Sequence, residues 1–233
     1  MLTFDFDRLD IAPGMKAIDI GAGLGRHSFE LYRRGADVIA FDMSESDMAE
    51  VGEMFAAMAV EGQAPAQAKA QAVVGDASAL PYPDDHFDLV IMSEILEHVP
   101  ADLSVIDEAV RVTRPGGRVI VSVPRAWPER ICWAFSTEYH TVPGGHVRIY
   151  SRAELVAKLE AAGLRLDGEG GAHALHAPYW WLRTALGDHH PIADAWHRML
   201  VWDLMKAPWP TRTAERLLDP VMGKSINLYL TKP

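Results

Sequence analysis

The stretch that most constrains this chain is Lys16-Ala17-Ile18-Asp19-Ile20-Gly21-Ala22-Gly23-Leu24-Gly25-Arg26-His27. A short apolar run with one acidic residue leads into three glycines at alternate positions. This reads as a strand ending in a turn where backbone passes close to a small ligand. The near-continuous apolar character of residues 15–20 suits a central parallel strand buried on both faces.

The glycine spacing discriminates between ligands. A dinucleotide fingerprint is G-x-G-x-x-G, with its third glycine allowing the helix to pack on the strand. Here the glycines fall at 21, 23 and 25, and position 26 is Arg26, so the dinucleotide pattern is broken. Further along, residues 26–34 read as a helix closed by Gly35, and residues 36–41 as a second strand ending in Asp42. An acid about 20 residues beyond the glycines sits where it can accept hydrogen bonds from ribose hydroxyls. Ser44-x-x-Asp47 resembles a capping box, with Met48, Val51, Phe55 and Met58 at helical spacing behind it as core. A third strand, 72–74, leads into Gly75-Asp76-Ala77. Then Leu80-Pro81-Tyr82-Pro83-Asp84 and Phe87-Asp88 feed a strand over 89–92 that ends in Ser93-Glu94-Ile95-Leu96-Glu97-His98-Val99.

These motifs, in this order, resemble the class I S-adenosylmethionine-dependent methyltransferases, and the Leu-Glu-His-Val run resembles those of quinone biosynthesis. The resemblance implies an α/β fold, a Rossmann-like seven-stranded mostly parallel sheet with helices on both faces and an antiparallel last strand. It implies S-adenosylmethionine as cofactor, held by Asp19, Gly21, Ala22 and Gly23. Both ribose hydroxyls fall on Asp42 and the adenine packs near Met43; Asp76 takes the exocyclic amine and the Ala77 N–H a ring nitrogen. Ser93, Glu94 and His98 lie beneath the methionine part. Glu94 stands where the family often has His or Asp. The Asn/Asp-Pro-Pro-aromatic signature of nucleobase and amide methylators is lacking at 93–96, which disfavours exocyclic amine acceptors.

The turn Arg114-Pro115-Gly116-Gly117 leads into a strand over 118–123. Residues 124–150 then become aromatic and loop-like, and Ser151-x-x-Glu154 caps a further helix. Loops beyond the C-terminal ends of parallel strands line the crevice in such sheets, so His140, His146 and Tyr139, with Glu94, are the candidate general bases. Strand six is expected over 164–173 and residues 225–231 as an antiparallel edge strand. The expected layout is one methyltransferase domain over 1–233, with core 9–123, 151–174 and 225–231 and substrate-side insertions 124–150 and 175–224. The second insertion, carrying Tyr179, Trp180, Trp181, Trp196, Trp202 and Trp209, suits a cap of two or three short helices over an apolar acceptor, a dimer surface or a membrane-facing platform.

Composition narrows the partners. A net charge of −10 over 233 residues lacks the basic face that phosphate backbones require, so nucleic acid is not expected as a partner. The single cysteine, Cys132, forms no internal disulfide, and Met1-Leu2-Thr3-Phe4-Asp5 does not open like a signal peptide, which points to a cytoplasmic protein. The apolar stretch 192–209 is interrupted by Asp194, Arg198, Asp203 and Lys206 and fails as a membrane span.

Methyl transfer from a sulfonium is an in-line attack that requires no metal of its own. The protein must hold and align the acceptor at about 3 Å and exclude water, and a hydroxyl acceptor also needs a base. The expected reaction is O- or C-methylation of a small, apolar or lipid-like acceptor. The alternatives are an NAD(P)-dependent oxidoreductase, which Arg26 disfavours, and a non-catalytic S-adenosylmethionine-binding protein.

Overall fold

The computed structural model describes residues 1–136, 144–187 and 189–233. Strands β1 (Lys16–Ile20), β2 (Asp37–Asp42), β3 (Ala70–Val74), β4 (Phe87–Ser93), β5 (Thr113–Pro124), β6 (Arg165–Ala172) and β7 (Ser225–Thr231) form one sheet in the order β3-β2-β1-β4-β5-β7-β6. β1 to β5 pair in parallel, and β7 runs antiparallel to both β5 and β6. Helices α1 (Arg26–Arg33), α2 (Glu45–Val60), α3 (Asp102–Val112), α4 (Ala126–Phe135), α5 (Arg152–Ala161), α6 (His176–Leu186), α7 (Pro191–Lys206) and α8 (Trp209–Met222) connect and cover it.

The period-2 alternation of the strands splits the core in two. Ile18 and Ile20 join Val105, Ile106, Leu155 and Leu159 of α3 and α5 on one face. Ala17, Val38 and Ala40 meet Leu31, Val51, Phe55 and Met58 of α1 and α2 on the other, under Phe4, Phe6 and Leu9 of the N-terminal segment. Both predicted caps form: Ser44 Oγ accepts from Asp47 N and Ser151 Oγ from Glu154 N, each worth about 1 kcal/mol to its helix.

Three expectations need correction. Residues 225–231 are not at the edge: β7 lies between β5 and β6, and β6 is the edge strand. The residues explain it. Ser-Ile-Asn-Leu-Tyr-Leu is buried throughout, whereas Arg-Leu-Asp-Gly-Glu-Gly-Gly-Ala carries the charges and glycines that suit an edge. The start of the first insertion is not loop-like but the helix α4, with Pro128 in the first turn, where its missing N–H costs nothing. The turn at 114–117 is absorbed into a longer β5, whose register against β4 shifts between Phe87 and Leu89. The second insertion forms three helices, α6 to α8, and no helix among the described residues is long and apolar enough to cross a membrane.

Candidate active site

The sheet order reverses between β1 and β4, since β1 leads outward to β2 and β3 and β4 to β5. Ligands of open α/β sheets bind in the crevice beyond the strand ends at this switch point, which is where the glycine turn and the 93–98 segment meet. Gly21 has φ +72°, and a Cβ there would lie 2.6 Å from Ile95 Cδ1, so this glycine lets the β1 and β4 turns pack together. Gly25, at φ +75°, would collide with Phe29 and Val51. Gly23 alone of the three faces open space, and it is the position where backbone is free to approach a ligand. The Gly21 and Ala22 N–H groups donate to the Phe41 carbonyl at 2.8 and 3.1 Å, so they pin the turn to β2.

Asp42, at the end of β2, accepts from Gly23 N at 2.9 Å through Oδ2 and from Ser44 N at 3.0 Å through Oδ1. It braces the turn, and each oxygen keeps a further lone pair for a ligand. Met43 beside it is 83 % exposed. Asp76 is exposed and accepts from both the N–H and the hydroxyl of Ser78, an Asx turn that holds its carboxyl below the usual carboxylate range. Ala77 packs against the core. Asp19 is buried, with one oxygen accepting from Ser28 Oγ at 2.7 Å and Oδ1 without a partner among the described residues; burial pushes its pKa up to about 6. An orphan acceptor at Asp19, open backbone at Gly23 and spare lone pairs on Asp42 suit a cofactor carrying an amine and ribose hydroxyls.

Beyond β4, Ser93 Oγ lies 3.1 Å from Ser122 Oγ and accepts from Arg26 at 3.3 Å, so the residue in the place of the third glycine reaches across the crevice. Glu94 adopts a left-handed φ of +55°, uncommon for a residue with a side chain, and its Oε1 is buried without a partner among the described residues. Glu97 is 1 % exposed and neither of its oxygens has a hydrogen-bond partner among the described residues. Burial, and then the Glu94 charge, holds its pKa well above the carboxylate range.

The segment around His146 reaches this turn because Arg148 donates to the carbonyls of Leu96, Val99 and Pro100, and Val147 N to that of Glu97. The His98 and His146 rings then meet edge to face at 4.7 Å. His98 Nδ1 sits 2.7 Å from the Gly144 carbonyl, and burial lowers its pKa. His146 Nδ1 lies 2.6 Å from Oε1 of Glu129, which is buried on α4 and also accepts from Trp133. Ligand atoms of Glu97, His98 and His146 all fall within 4.8 Å of one another. Carboxylate and imidazole at that separation can hold a divalent cation.

Of the predicted bases, the structure sets His146 against His98 and Glu97, with the Glu94 charge felt at both of these; His140 and Tyr139 lie outside the described residues. Sequence reasoning missed Glu97 and Glu129 as site groups. Glu97 stood in the Leu-Glu-His-Val run, where an acid three residues after Glu94 in an apolar turn was the available signal. Glu129 lies in an aromatic stretch with no pattern to mark it. Cavities of about 200 and 250 Å³ lie along β6 and β7, lined by Arg125 and Glu169 and by Arg118 and Asp167, away from this crevice.

A switch-point crevice with a glycine turn after β1, acids after β2 and β3, and an antiparallel β7 inserted beside β5 defines the class: a Rossmann-like nucleotide-binding fold of methyltransferase architecture. Residues 18–121 match the model of a methyltransferase domain family. The chain is 34 % identical over 166 residues to the ubiquinone biosynthesis O-methyltransferase of Aeromonas salmonicida, covering 69 % of this chain and 67 % of that protein. It is 35 % identical over 116 residues to the demethylmenaquinone methyltransferase of Beutenbergia cavernae, covering 50 % of this chain but only 43 % of that relative's length. In fold it is similar to a Bacillus halodurans protein assigned as a methyltransferase, with a TM-score of 0.65 at 20 % identity over 98 % of this chain and 96 % of the other. The chain belongs to the class I S-adenosylmethionine-dependent methyltransferases of the quinone-biosynthesis type.

Proposed function

We propose that this protein transfers the methyl group of S-adenosylmethionine to a hydroxyl oxygen of a small, largely apolar acceptor. The observation that carries the choice of oxygen is the buried Glu97 carboxyl, with no hydrogen-bond partner among the described residues, under the charge of Glu94 and beside two imidazoles at the end of β4. A thioether acceptor has no proton to lose, and a ring-carbon acceptor loses its proton from C–H, after the methyl has bonded. A hydroxyl must lose a proton as its oxygen attacks, and carboxylate and imidazole groups at the crevice mouth can take it.

In this reading Asp42, Gly23 and Asp19 bind and orient the donor, and the bound sulfonium supplies the activated methyl carbon. Arg148 holds the 96–100 carbonyls so that Glu97 and His98 keep their place, and Glu129 fixes the ring orientation of His146. Glu97, His98 and His146, with Glu94 adjacent, are the residues that would hold a divalent cation. Such an ion would supply Lewis acidity, lowering the pKa of a coordinated hydroxyl.

The test is turnover of labelled donor with a panel of alkyl-substituted catechols and their O-methylated or carbon-blocked analogues. Methylation of the free hydroxyls, lost with a chelator and restored by magnesium or manganese, is the expected result. Methylation at ring carbon, indifferent to chelator, overturns the assignment. Separately, Asp42→Ala is expected to weaken donor binding by about 1 to 3 kcal/mol, through the ribose bonds and the loosened Gly23 turn. Titration calorimetry with S-adenosylmethionine and with its demethylated product reads this, and unchanged affinity would remove Asp42 from the site.

A further inference from the structure

We propose that His173, His176 and Glu215 form a binding site for a divalent transition-metal ion of the zinc class, which ties together the segments inserted between β6 and β7. Ligand atoms of the three side chains lie within 4.8 Å of one another. Local structure brings them there. The chain turns sharply past β6 at His173, which has a left-handed φ of +67°, and His176 N donates to the His173 carbonyl at 3.0 Å, so the two imidazoles meet with ring centroids 5.5 Å apart. All three inserted helices fasten to this turn. His176 opens α6, Trp196 of α7 donates from Nε1 to the Leu175 carbonyl at 2.9 Å, and Asp219 of α8 accepts from Ala174 N at 2.8 Å. Glu215 lies one helical turn before Asp219 on the same face of α8, which presents its carboxyl to the histidines.

The donor set is open to an ion. Glu215 is 7 % exposed and its Oε1 is buried with no hydrogen-bond partner among the described residues, and the same holds for His176 Nδ1. Buried polar atoms are otherwise nearly always paired. The other Glu215 oxygen is 3.0 Å from Arg212, which also pairs with the buried Asp203 of α7, so two carboxylates share one guanidinium and a negative charge is left over. Burial first, and then neighbouring charges with Lys224 among them, lowers both imidazole pKa values, that of His176 to about 4. Each ring is therefore neutral at pH 7 and offers a lone pair without first losing a proton. Two imidazole nitrogens and one carboxylate oxygen select zinc, cobalt or nickel over magnesium or calcium, which prefer oxygen alone. Ligand atoms bound at about 2.1 Å to a tetrahedral ion sit about 3.4 Å apart, so inward movements of about 1 Å close the set, with the fourth position left to water. The ion bridges the turn after β6 to α8.

The test uses the full chain, stripped with chelator, and needs neither methyl donor nor acceptor, so its failure is separate from failure of the proposed reaction. Zinc chloride is titrated by calorimetry into the variant Glu97→Gln/His146→Ala, in which the cluster at the end of β4 is removed. One equivalent should bind, and saturating zinc should raise the urea midpoint where magnesium does not. Adding His176→Ala should weaken that binding by about a hundredfold or more and abolish the rise in midpoint. Glu215→Gln, which keeps the side-chain shape, should weaken it by roughly tenfold or more, so the outcome does not depend on whether His176→Ala folds. Absence of zinc binding, binding unaltered by both substitutions, or a midpoint indifferent to zinc would overturn the proposal.

Discussion

Replacing Glu97 with glutamine is expected to leave the protein folded, more resistant to urea, and nearly inactive. A carboxyl that is buried and has no hydrogen-bond partner among the described residues is a cost to the native state at neutral pH, whether it stays charged or must hold its proton. The amide keeps the shape and removes that cost, so the urea midpoint should rise. Turnover should fall by about 10²- to 10³-fold, the loss typical when a group facing developing charge is removed. Donor affinity should stay within about threefold, because Glu97 is not among the groups assigned to the donor. A stability loss with intact turnover would show Glu97 to be an ordinary packing residue. A stabilised, inactive variant is the signature of a group kept for chemistry at the expense of the fold.

The second large effect concerns acid. His27 is buried between Phe4 and Phe6, and its Nε2 accepts the Thr3 N–H at 3.1 Å, which requires a neutral ring. Burial, then the Arg26 charge and the N-terminal amine, lowers its pKa to about 3 from an ordinary value of 6.5. A histidine depressed in the folded state leaves the unfolded chain binding the extra proton. Its share of stability is therefore complete above about pH 6.5 and drains away as pH falls towards 3, reaching about 4 kcal/mol. Between pH 7.5 and 5 the share lost is about 2 kcal/mol, large against a typical total of roughly 5 to 15. His173 and His176, also buried with lowered pKa values, add to the same slope, so the diagnostic quantity is a difference. His27→Phe should be less stable than the parent at pH 7.5, where Thr3 N–H loses its acceptor, yet show a shallower decline in urea midpoint down to pH 5. Parallel declines would mean that His27 titrates normally.

The parts of this molecule written in contiguous residues could be read before any coordinates. The glycine turn, the acid closing β2, the caps at Ser44 and Ser151 and the apolar strands each depend on neighbours a few positions away, where spacing carries the information. The roles within the turn were less accessible. Gly21 and Gly25 serve packing against Ile95, Phe29 and Val51, contacts that no spacing rule contains. The Glu97, His98, His146 and Glu129 cluster joins the β4 turn, the segment before α5 and the inner side of α4. It exists because Arg148 binds three carbonyls some fifty residues away in sequence. The place of β7 was misjudged for a related reason. Chain order says that the last strand arrives last, whereas burial on both faces decides where it can lie.

That placement makes the last strand a seam rather than a hem. Until residues 225–231 are in place, β6 has no partner strand for its hydrogen bonds, and α6 and α8 are held to the rest of the fold through α4, where Trp181 donates to the Pro128 carbonyl and Trp127 to that of Val221. The N-terminal segment waits as well, because Thr3 O accepts from Asn227 and Asp5 N donates to the Tyr229 hydroxyl. The half of the sheet that carries the glycine turn can assemble before β7 exists, and β6 can join it only afterwards. Loss of these seven residues would therefore separate β6 from the parallel half of the sheet, leaving the half that carries the glycine turn without the edge strand beyond it.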